Sequence, residues 1–180
     1  MKTWLPIIVV FLALIAGGAF LGWRTATAPI AQEKTYSSQT AGVAFTYPKT
    51  YILGERADSF EGSPITVLTL LPTDVAVPDM SEGPPGISVL VVPNPENIPL
   101  EDWVRTKSIS NIGLSMDLSL GSTTVAGESA VAYKFPGLYE NDAVAVAHAG
   151  RVYLFFGSWS DANAPIRSDF QNLLKTVTFK

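Results

Sequence analysis

The feature that most constrains this chain is a stretch without a single charged residue, which runs from Trp4 to Trp23 near the amino terminus. About twenty residues of α-helix span about 30 Å, the thickness of a bilayer's hydrocarbon core. The two tryptophans stand at its ends, where indole side chains favour the membrane–water interface. Pro6 lies in the first turn, where its missing N–H breaks no helical hydrogen bond. The sequence therefore predicts an N-terminal transmembrane signal-anchor over residues 1–23, with its span at 4–23.

A cleaved secretory signal is the alternative interpretation of this segment. Lys2 supplies a minimal positive n-region, and the small residues Ala26 and Ala28 have the spacing of a cleavage site. Against cleavage, the apolar stretch is longer than the roughly 7–15 residues of a signal h-region, and Pro29 would directly follow the cut. The anchor is therefore favoured, with the amino terminus in the cytoplasm and the domain outside the cell membrane. After cleavage near Ala28, the domain would be secreted instead.

Gly18 and Gly22 have the small-xxx-small spacing that lets two transmembrane helices approach closely. This spacing would allow weak dimerisation through the span. The plainer interpretation is favoured, because glycine is frequent in membrane helices in general.

Outside this segment the chain is acidic. Residues 32–180 hold 10 Lys and Arg against 16 Asp and Glu, which gives a net charge of −6. A nucleic-acid binder needs surplus cations to neutralise phosphates, so that class of protein is excluded. The chain has no cysteine, which excludes disulfides, thiolate metal sites, iron–sulfur clusters and lipidation on cysteine.

The segment after the span is polar and has neither a helical nor a strand period. Residues 24–39 are rich in Thr, Ala, Ser and Gln, a composition that predicts a flexible stalk, so the domain is expected over 40–180. The connection 72–86 holds four prolines and is either a functional loop or a floppy one. Apolar and β-branched runs that end at prolines predict three strands, at 42–47, 65–71 and 87–92.

Two helices are also predicted. Pro99 suits a first helical turn, and the acidic residues after it suit the positive end of the helix dipole, which favours a helix reaching about Ser110. Pro165 opens a second helix, whose apolar residues recur with a 3.6-residue period. These residues are Ile166, Phe170, Leu173, Leu174 and Val177. A short final strand is expected over 177–179.

The most informative stretch runs from Asp142 to Ser160, where two apolar runs flank Gly150-Arg151. Glycine as the first residue of a two-residue loop predicts a type II′ turn, which places His148 opposite Tyr153. Both faces of this hairpin are then apolar, which predicts strands in the middle of a sheet covered on both sides. One face is rich in alanine and favours close approach of a helix. The expected fold class is α+β, an antiparallel β-sheet flanked by helices.

Three short motifs mark this domain. Residues 43–48 read Val-Ala-Phe-Thr-Tyr-Pro, and residues 127–130 read Gly-Glu-Ser-Ala. The chain ends with an aromatic strand at 153–156, the second helix and the strand at 178–179. Together these features resemble the F-x-Y-P start, the G-x-x-A strand and the closing hairpin, helix and strand of PsbP/Mog1-like domains.

The resemblance covers about residues 40–180 and implies an α/β/α sandwich on an antiparallel sheet. It also implies non-enzymatic work, because members of the family are extrinsic subunits and binding adaptors, with many exported bacterial versions. Thr50-Tyr51 departs from the family, in which a tryptophan commonly follows the proline. A membrane anchor is also absent from nuclear Mog1-type and lumenal PsbP-type proteins, so no functional residue is carried over.

Candidate catalytic and metal-binding residues are few. His148 is the only histidine, and in a central strand it is expected to be packed and hydrogen-bonded. Glu140-Asn141-Asp142 and Asp161-Ala162-Asn163 offer oxygen ligands, but neither resembles an EF-hand loop, and turns use the same residues. Glu101-Asp102 is explained by a helix start. No catalytic residue, metal or cofactor is therefore predicted.

Residues 135–142 combine aromatic and turn residues at the end of a hairpin. A contact patch for a partner there would use Leu138, Tyr139, Glu140 and Asp142, although the first two would equally serve to cap the core. The function predicted is a membrane-anchored extracytoplasmic binding or adaptor module without catalytic activity, with a protein partner or a small ligand. The alternative is an exported carboxylate-dependent hydrolase, which predicts a concave site with at least two acidic groups within a few ångströms. The candidates are Glu101, Asp102, Glu140, Asp142 and Asp161.

Overall fold

A large antiparallel sheet lies at the centre of the computed structural model, which describes residues 32–74 and 83–180. The strands of this part of the chain are β1 (Glu33–Ser38), β2 (Val43–Pro48), β3 (Tyr51–Phe60), β4 (Ser63–Pro72), β5 (Ile87–Pro93), β6 (Gly121–Val125), β7 (Glu128–Pro136), β8 (Glu140–His148), β9 (Arg151–Trp159) and β10 (Thr178–Phe179). Seven of them form the large sheet in the order β3-β4-β5-β9-β8-β7-β6, and β1-β2-β10 form a smaller one. The helices are α1 (Leu100–Thr106) and α2 (Pro165–Thr176).

The two helices cover opposite faces of the large sheet, as the α+β prediction requires. On one face, Phe170 and Leu173 of α2 pack against the β8 and β9 side chains of Val144, Val146 and Phe155. On the other face, Trp103 and Val104 of α1 pack in a second core that holds the alanines of β8 and Leu154. The alanine face therefore does accept a helix, because small side chains let the helix backbone come close.

The predicted second helix is confirmed, and the first is shorter than predicted. α2 begins with Pro165 in its first turn, buries the predicted apolar stripe and is followed by β10. α1 ends at Thr106, because Lys107 is extended, with φ −88° and ψ 120°. Ser110 lies instead in a short 3-10 turn, where its hydroxyl donates to the Val104 carbonyl at 2.6 Å. The expectation of a helix reaching Ser110 was wrong, since this local hydrogen bond satisfies the backbone in its place.

The β8–β9 hairpin has the predicted faces but not the predicted turn. Its loop is Ala149-Gly150, both with positive φ (47° and 71°), which makes it a type I′ turn rather than a type II′ turn. His148 therefore lies opposite Arg151, and Tyr153 lies opposite Val146. The register differs by two residues from the prediction, and a side-chain period of two leaves every side chain on its predicted face.

Two other hairpins end in the same way, at the same end of the large sheet. Glu61-Gly62 joins β3 to β4, and Ala126-Gly127 joins β6 to β7. All four of these residues have positive φ, so both loops are also type I′ turns. We call this the turn end of the sheet.

The domain begins earlier than predicted. Residues 33–38 were expected in the flexible stalk, but they form β1, which pairs with β2 from Glu33 opposite Pro48 to Ser38 opposite Val43. Tyr36 packs on Phe45 with a ring-centroid distance of 5.2 Å. β1 is an edge strand with one face in solvent, and its polar composition therefore resembles that of a linker.

The predicted span at residues 4–23, its cleavage site near Ala28, Gly18 and Gly22 lie outside the described residues. Across 32–74 and 83–180, neither helix is long and apolar enough to cross a bilayer.

Candidate functional site

The end of the sheet opposite the turn end holds an open cavity of about 490 Å³. β3 begins there at Tyr51 and β4 ends there at Pro72, while β9 ends at Trp159 and α2 begins at Pro165. The β7–β8 hairpin loop lies at this same end, because Glu140 is opposite Trp159. We call it the cavity end.

One wall of the cavity is formed by the start of α2, which a hydrogen-bonded turn holds away from the ends of β3 and β4. After Trp159 the chain leaves the sheet, and the Asn163 N–H donates to Asp161 Oδ1 at 2.9 Å. The Ala164 N–H donates to the Asp161 carbonyl, also at 2.9 Å. This turn sets where Pro165 starts the helix, and the apolar side of the first turn, including Ile166, forms one wall of the cavity.

Tyr51 is the central polar group of the cavity. Its ring is buried, with 3% of its surface exposed, and its hydroxyl donates to Asp169 Oδ2 at 2.9 Å. Burial raises the pKa of Tyr51 well above its ordinary value, and the nearby carboxylates of Asp169 and Asp74 raise it further. The hydroxyl therefore stays protonated at physiological pH, and it serves as a hydrogen-bond donor rather than as a base.

A chain of contacts behind the cavity supports Trp159. The guanidinium of Arg167 lies over the Trp159 ring, 5.0 Å from its centroid, and its Nε is 3.4 Å from Asp142 Oδ2. Lys134 Nζ is 3.6 Å from the other oxygen of Asp142, which accepts no hydrogen bond from the described residues. The contact between Lys134 and Asp142 is an ion pair across β7 and β8, where the two residues lie opposite each other. Asp142 thus holds Arg167 against the wall of the cavity.

The four residues predicted as a contact patch lie in different environments. Leu138 is 65% exposed at the tip of the β7–β8 loop, and Glu140 is exposed, but Tyr139 is half-buried. Asp142 is buried, with 8% of its surface exposed, because its two cationic neighbours neutralise it. It supports the sheet instead of forming an exposed contact.

The β7–β8 loop is held in place by Asn141, which is buried. Its Nδ2 donates to the Tyr139 carbonyl at 2.7 Å and to the Phe135 carbonyl at 3.3 Å. Its Oδ1 accepts from the Ser158 hydroxyl at 2.6 Å. The exposed Leu138 therefore stands on a fixed loop at the cavity end.

His148 lies at the turn end, away from the cavity. Its Nδ1 is 3.1 Å from Glu128 Oε1, and its ring stacks on Phe179 at 4.7 Å. The side chain is half-buried, with 29% exposed, and its neighbour across the hairpin is Arg151 rather than Tyr153. The expectation of a packed, hydrogen-bonded histidine is confirmed, and the predicted partner is wrong because the turn is shifted.

The five carboxylates of the hydrolase alternative do not lie on one face of the sheet. Glu101 and Asp102 belong to α1, on the opposite face of the sheet from Asp142. Glu140 is exposed on β8, and Asp161 is in the turn before α2. In the part of the chain that the structure describes, no three acidic or histidine side chains group closely enough to hold a metal ion.

The cavity residues Tyr51, Asp74, Trp159 and Asp169 were missed in the sequence. Tyr51 and Asp169 are 118 residues apart in the chain, and no local pattern connects them. Tyr51 and Trp159 could have indicated a binding site, because they are large aromatic residues at the ends of strands. Binding sites in sheet proteins often lie at strand ends.

Comparison with known proteins finds similarity in structure but not in sequence. No protein-family model matches the chain, and no curated protein matches it. The solution structure of cyanobacterial PsbP (CyanoP) from Synechocystis sp. PCC 6803 is similar with a TM-score of 0.54 and 15% identity, over 86% of this chain and 96% of that one. A crystal structure from Bacteroides thetaiotaomicron VPI-5482 is similar with a TM-score of 0.51 and 12% identity, over 82% of this chain and 48% of that one. The chain therefore has a PsbP-like fold.

Proposed function

We propose that this chain is a non-catalytic binding module that takes a small ligand in the cavity between β3, β4 and α2. The observation that carries the proposal is the cavity itself. Its volume of about 490 Å³ falls in the usual range of small-molecule sites, about 300–1,000 Å³. A few polar groups, led by the Tyr51 hydroxyl and the Asp169 carboxylate, converge on mainly apolar walls, which is typical of such sites.

The polar groups of the cavity favour binding over catalysis. A nucleophilic hydroxyl needs a base within hydrogen-bond reach, about 3 Å. The Tyr51 hydroxyl has such a group in Asp169 at 2.9 Å, but burial and the neighbouring carboxylates raise the pKa of Tyr51, which keeps the hydroxyl protonated and makes it a poor nucleophile. The hydroxyl of Ser160 also borders the cavity, but the chain's only histidine, His148, lies at the turn end.

The proposal includes the membrane location predicted by residues 4–23, with the domain outside the cell membrane. The chain has no cysteine, so a single Ser122→Cys variant on the exposed β6 strand carries the only thiol. We expect a membrane-impermeant maleimide to label this variant in intact cells. Labelling only after lysis would place the domain inside, and loss of residues 1–28 by mass would show the cleaved form.

Ligand binding at the cavity can be tested on the full chain in its own membranes. A photo-crosslinking amino acid replaces Thr73, which is exposed at the rim of the cavity, and in a matched control it replaces Thr124 on β6. We expect a discrete adduct from position 73 and none from 124. Equal adducts from both positions, or none from either, would contradict the proposal.

A protein partner at Leu138, Tyr139 and Glu140 is a second part of the proposal. The exposed Leu138 on a fixed loop supports it, because an ordered apolar side chain loses little entropy on binding. Weak dimerisation through Gly18 and Gly22 stays a prediction.

A further inference from the structure

We infer that the ligand of the cavity is a small organic cation, an ammonium or guanidinium group on an apolar body. This inference rests on the proposed function and adds the charge of the ligand. It is argued from the two carboxylates of the cavity, Asp74 and Asp169, from the hydrogen bond that Asp169 accepts, and from the apolar residues that line the cavity.

The first step is the balance of charge. Among the described residues that line the cavity, Asp74 and Asp169 are the charged ones, and Lys, Arg and His are absent. Neither carboxylate forms an ion pair within residues 32–74 and 83–180. By contrast, Asp142 on the neighbouring part of the sheet has two cationic partners, Lys134 and Arg167. The fold neutralises the buried Asp142, whereas the exposed Asp74 and the half-buried Asp169 give the cavity lining its negative charge.

The second step is the direction of the hydrogen bonds. The Tyr51 hydroxyl donates to Oδ2 of Asp169, which fixes the carboxylate and leaves Oδ1 as an acceptor. An ammonium or guanidinium group donates charge-assisted hydrogen bonds to such an acceptor, and these are about twice as strong as neutral ones. A carboxylate or phosphate ligand could not donate to it and would be repelled.

The start of α2 favours the opposite charge, so the two effects have to be weighed. A helix amino terminus carries the equivalent of about half a positive charge. Pro165 in the first turn also removes one N–H that an anion could use. Asp74 is exposed and Asp169 is half-buried, so solvent screens both charges in part.

Two cations lie close to the lining: Lys34, whose Nζ donates to the Tyr51 carbonyl at 3.3 Å, and Arg167, which lies over Trp159 and pairs with Asp142. Both are engaged by groups other than the cavity carboxylates, so Asp74 and Asp169 still outweigh the helix terminus and attract a cation.

The third step is the apolar part of the ligand. Trp159, Pro72, Pro165 and Ile166 line the cavity and offer aromatic and aliphatic contact. Trp159 is held by Arg167, so its wall is already formed before a ligand arrives. A simple inorganic cation would leave this apolar surface unused, which favours an organic amine.

Three probes with the same phenyl ring test the charge: 2-phenylethylamine, 2-phenylethanol and 3-phenylpropionate. The full chain is reconstituted in nanodiscs, and binding is measured by calorimetry with empty discs subtracted. We expect the amine to bind about tenfold more tightly than the alcohol, and the carboxylate to bind more weakly than either.

Variants locate the effect. Asp169→Asn and Asp74→Asn should each weaken amine binding several-fold and leave the alcohol within twofold, and the double variant should bind both equally. Glu96→Gln is the matched control, because it removes one exposed charge at the turn end and should change nothing. Thermal unfolding of each variant confirms that it is folded.

The outcomes separate this inference from the proposed function. Equal binding of amine and alcohol by the natural chain, or equal effects of Glu96→Gln and Asp169→Asn, would overturn the inference. Failure of all three probes would also overturn it. In each case, a discrete adduct from position 73 would still support the cavity as a binding site, and its absence would remove both.

Discussion

The two ends of the large sheet are built differently. At the turn end, three hairpins close with two-residue type I′ turns. The loop after β5 is held by Asn94, whose Nδ2 donates to the Ile98 carbonyl at 3.0 Å and whose Oδ1 accepts from the Ile98 N–H at 3.1 Å. At the cavity end, the β7–β8 loop has three residues, and longer connections follow Pro72 and Trp159. The turn end has one long connection, which follows Pro93 and carries α1. The turn end also has cavities, of about 220 Å³ beside the β3–β4 turn and about 300 Å³ beside the β8–β9 turn, but the one at the cavity end is larger, at about 490 Å³.

The two ends of the sheet therefore have different roles, one in the fold and one in binding. Type I′ turns fix strand twist and register, so the turn end defines the fold. The cavity end holds Asp74 and Asp169, which form no ion pair within residues 32–74 and 83–180, and the exposed Leu138. Four predictions test this division, from the largest expected effect to the smallest.

The first prediction compares two buried aromatic residues. Phe170→Ala on α2 and Trp103→Ala on α1 should each lower the free energy of unfolding by about 3–5 kcal/mol, because each side chain is at most 1% exposed. Only Phe170→Ala should also weaken probe binding, since α2 forms a wall of the cavity and α1 covers the other face. Urea unfolding and calorimetry measure the two effects. Equal loss of binding in both variants would mean that the two regions are not separable.

The second prediction compares two glycines in hairpin loops. Gly150→Ala at the turn end should cost about 1–2 kcal/mol, because φ is +71° there and a Cβ is strained in that region. Gly137→Ala at the cavity end should stay within about 0.5 kcal/mol, since its nearest contact to an added Cβ is an ordinary 3.5 Å. Urea unfolding distinguishes them, and a larger loss at Gly137 would contradict the assignment of rigid and tolerant ends.

The third prediction concerns Tyr51. Tyr51→Phe should lower stability at pH 7 by about 1 kcal/mol, through loss of the hydrogen bond to Asp169. The folded pKa of Tyr51 is raised above its unfolded value near 10, so the tyrosine's contribution is complete below pH 10 and is lost as the pH rises further.

The variant should therefore lose less stability than the natural protein above pH 10. Tyr133→Phe, away from the cavity, should show the same smaller loss, because burial also raises the pKa of Tyr133. Urea unfolding at pH 7 and at pH 11 checks this. A parallel decline of Tyr51→Phe and the natural chain above pH 10 would show that Tyr51 does not carry the effect.

The fourth prediction has the smallest effect on stability. Leu138→Ser should change the free energy of unfolding by less than about 0.5 kcal/mol, because the side chain is 65% exposed. It should reduce crosslinking of a protein partner to a probe at Glu140, measured in membranes. Ile52→Ser, which is 62% exposed on β3, is the matched control and should leave that crosslinking unchanged.

Much of the fold could be predicted because the signals are local. The stripe of α2 and the alternating faces of β8 and β9 are repeats of 3.6 and 2 residues, and they place Phe170 and Ala145 correctly. β1 was missed because an edge strand with one face in solvent needs few apolar residues. The hairpin turn was shifted because Ala149 accepts a positive φ that alanine rarely adopts.

The sequence by itself determined the fold class, the two-sided central strands, the absence of cysteine chemistry and the acidic charge of residues 32–180. Only the tertiary structure decided that Asp142 is buried between Lys134 and Arg167, and that Tyr51 meets Asp169 at the cavity end. The physical reason is the separation in sequence between the residues that interact. Secondary structure follows from neighbours a few residues apart, whereas a cavity is the space left where residues distant in the chain pack against one another.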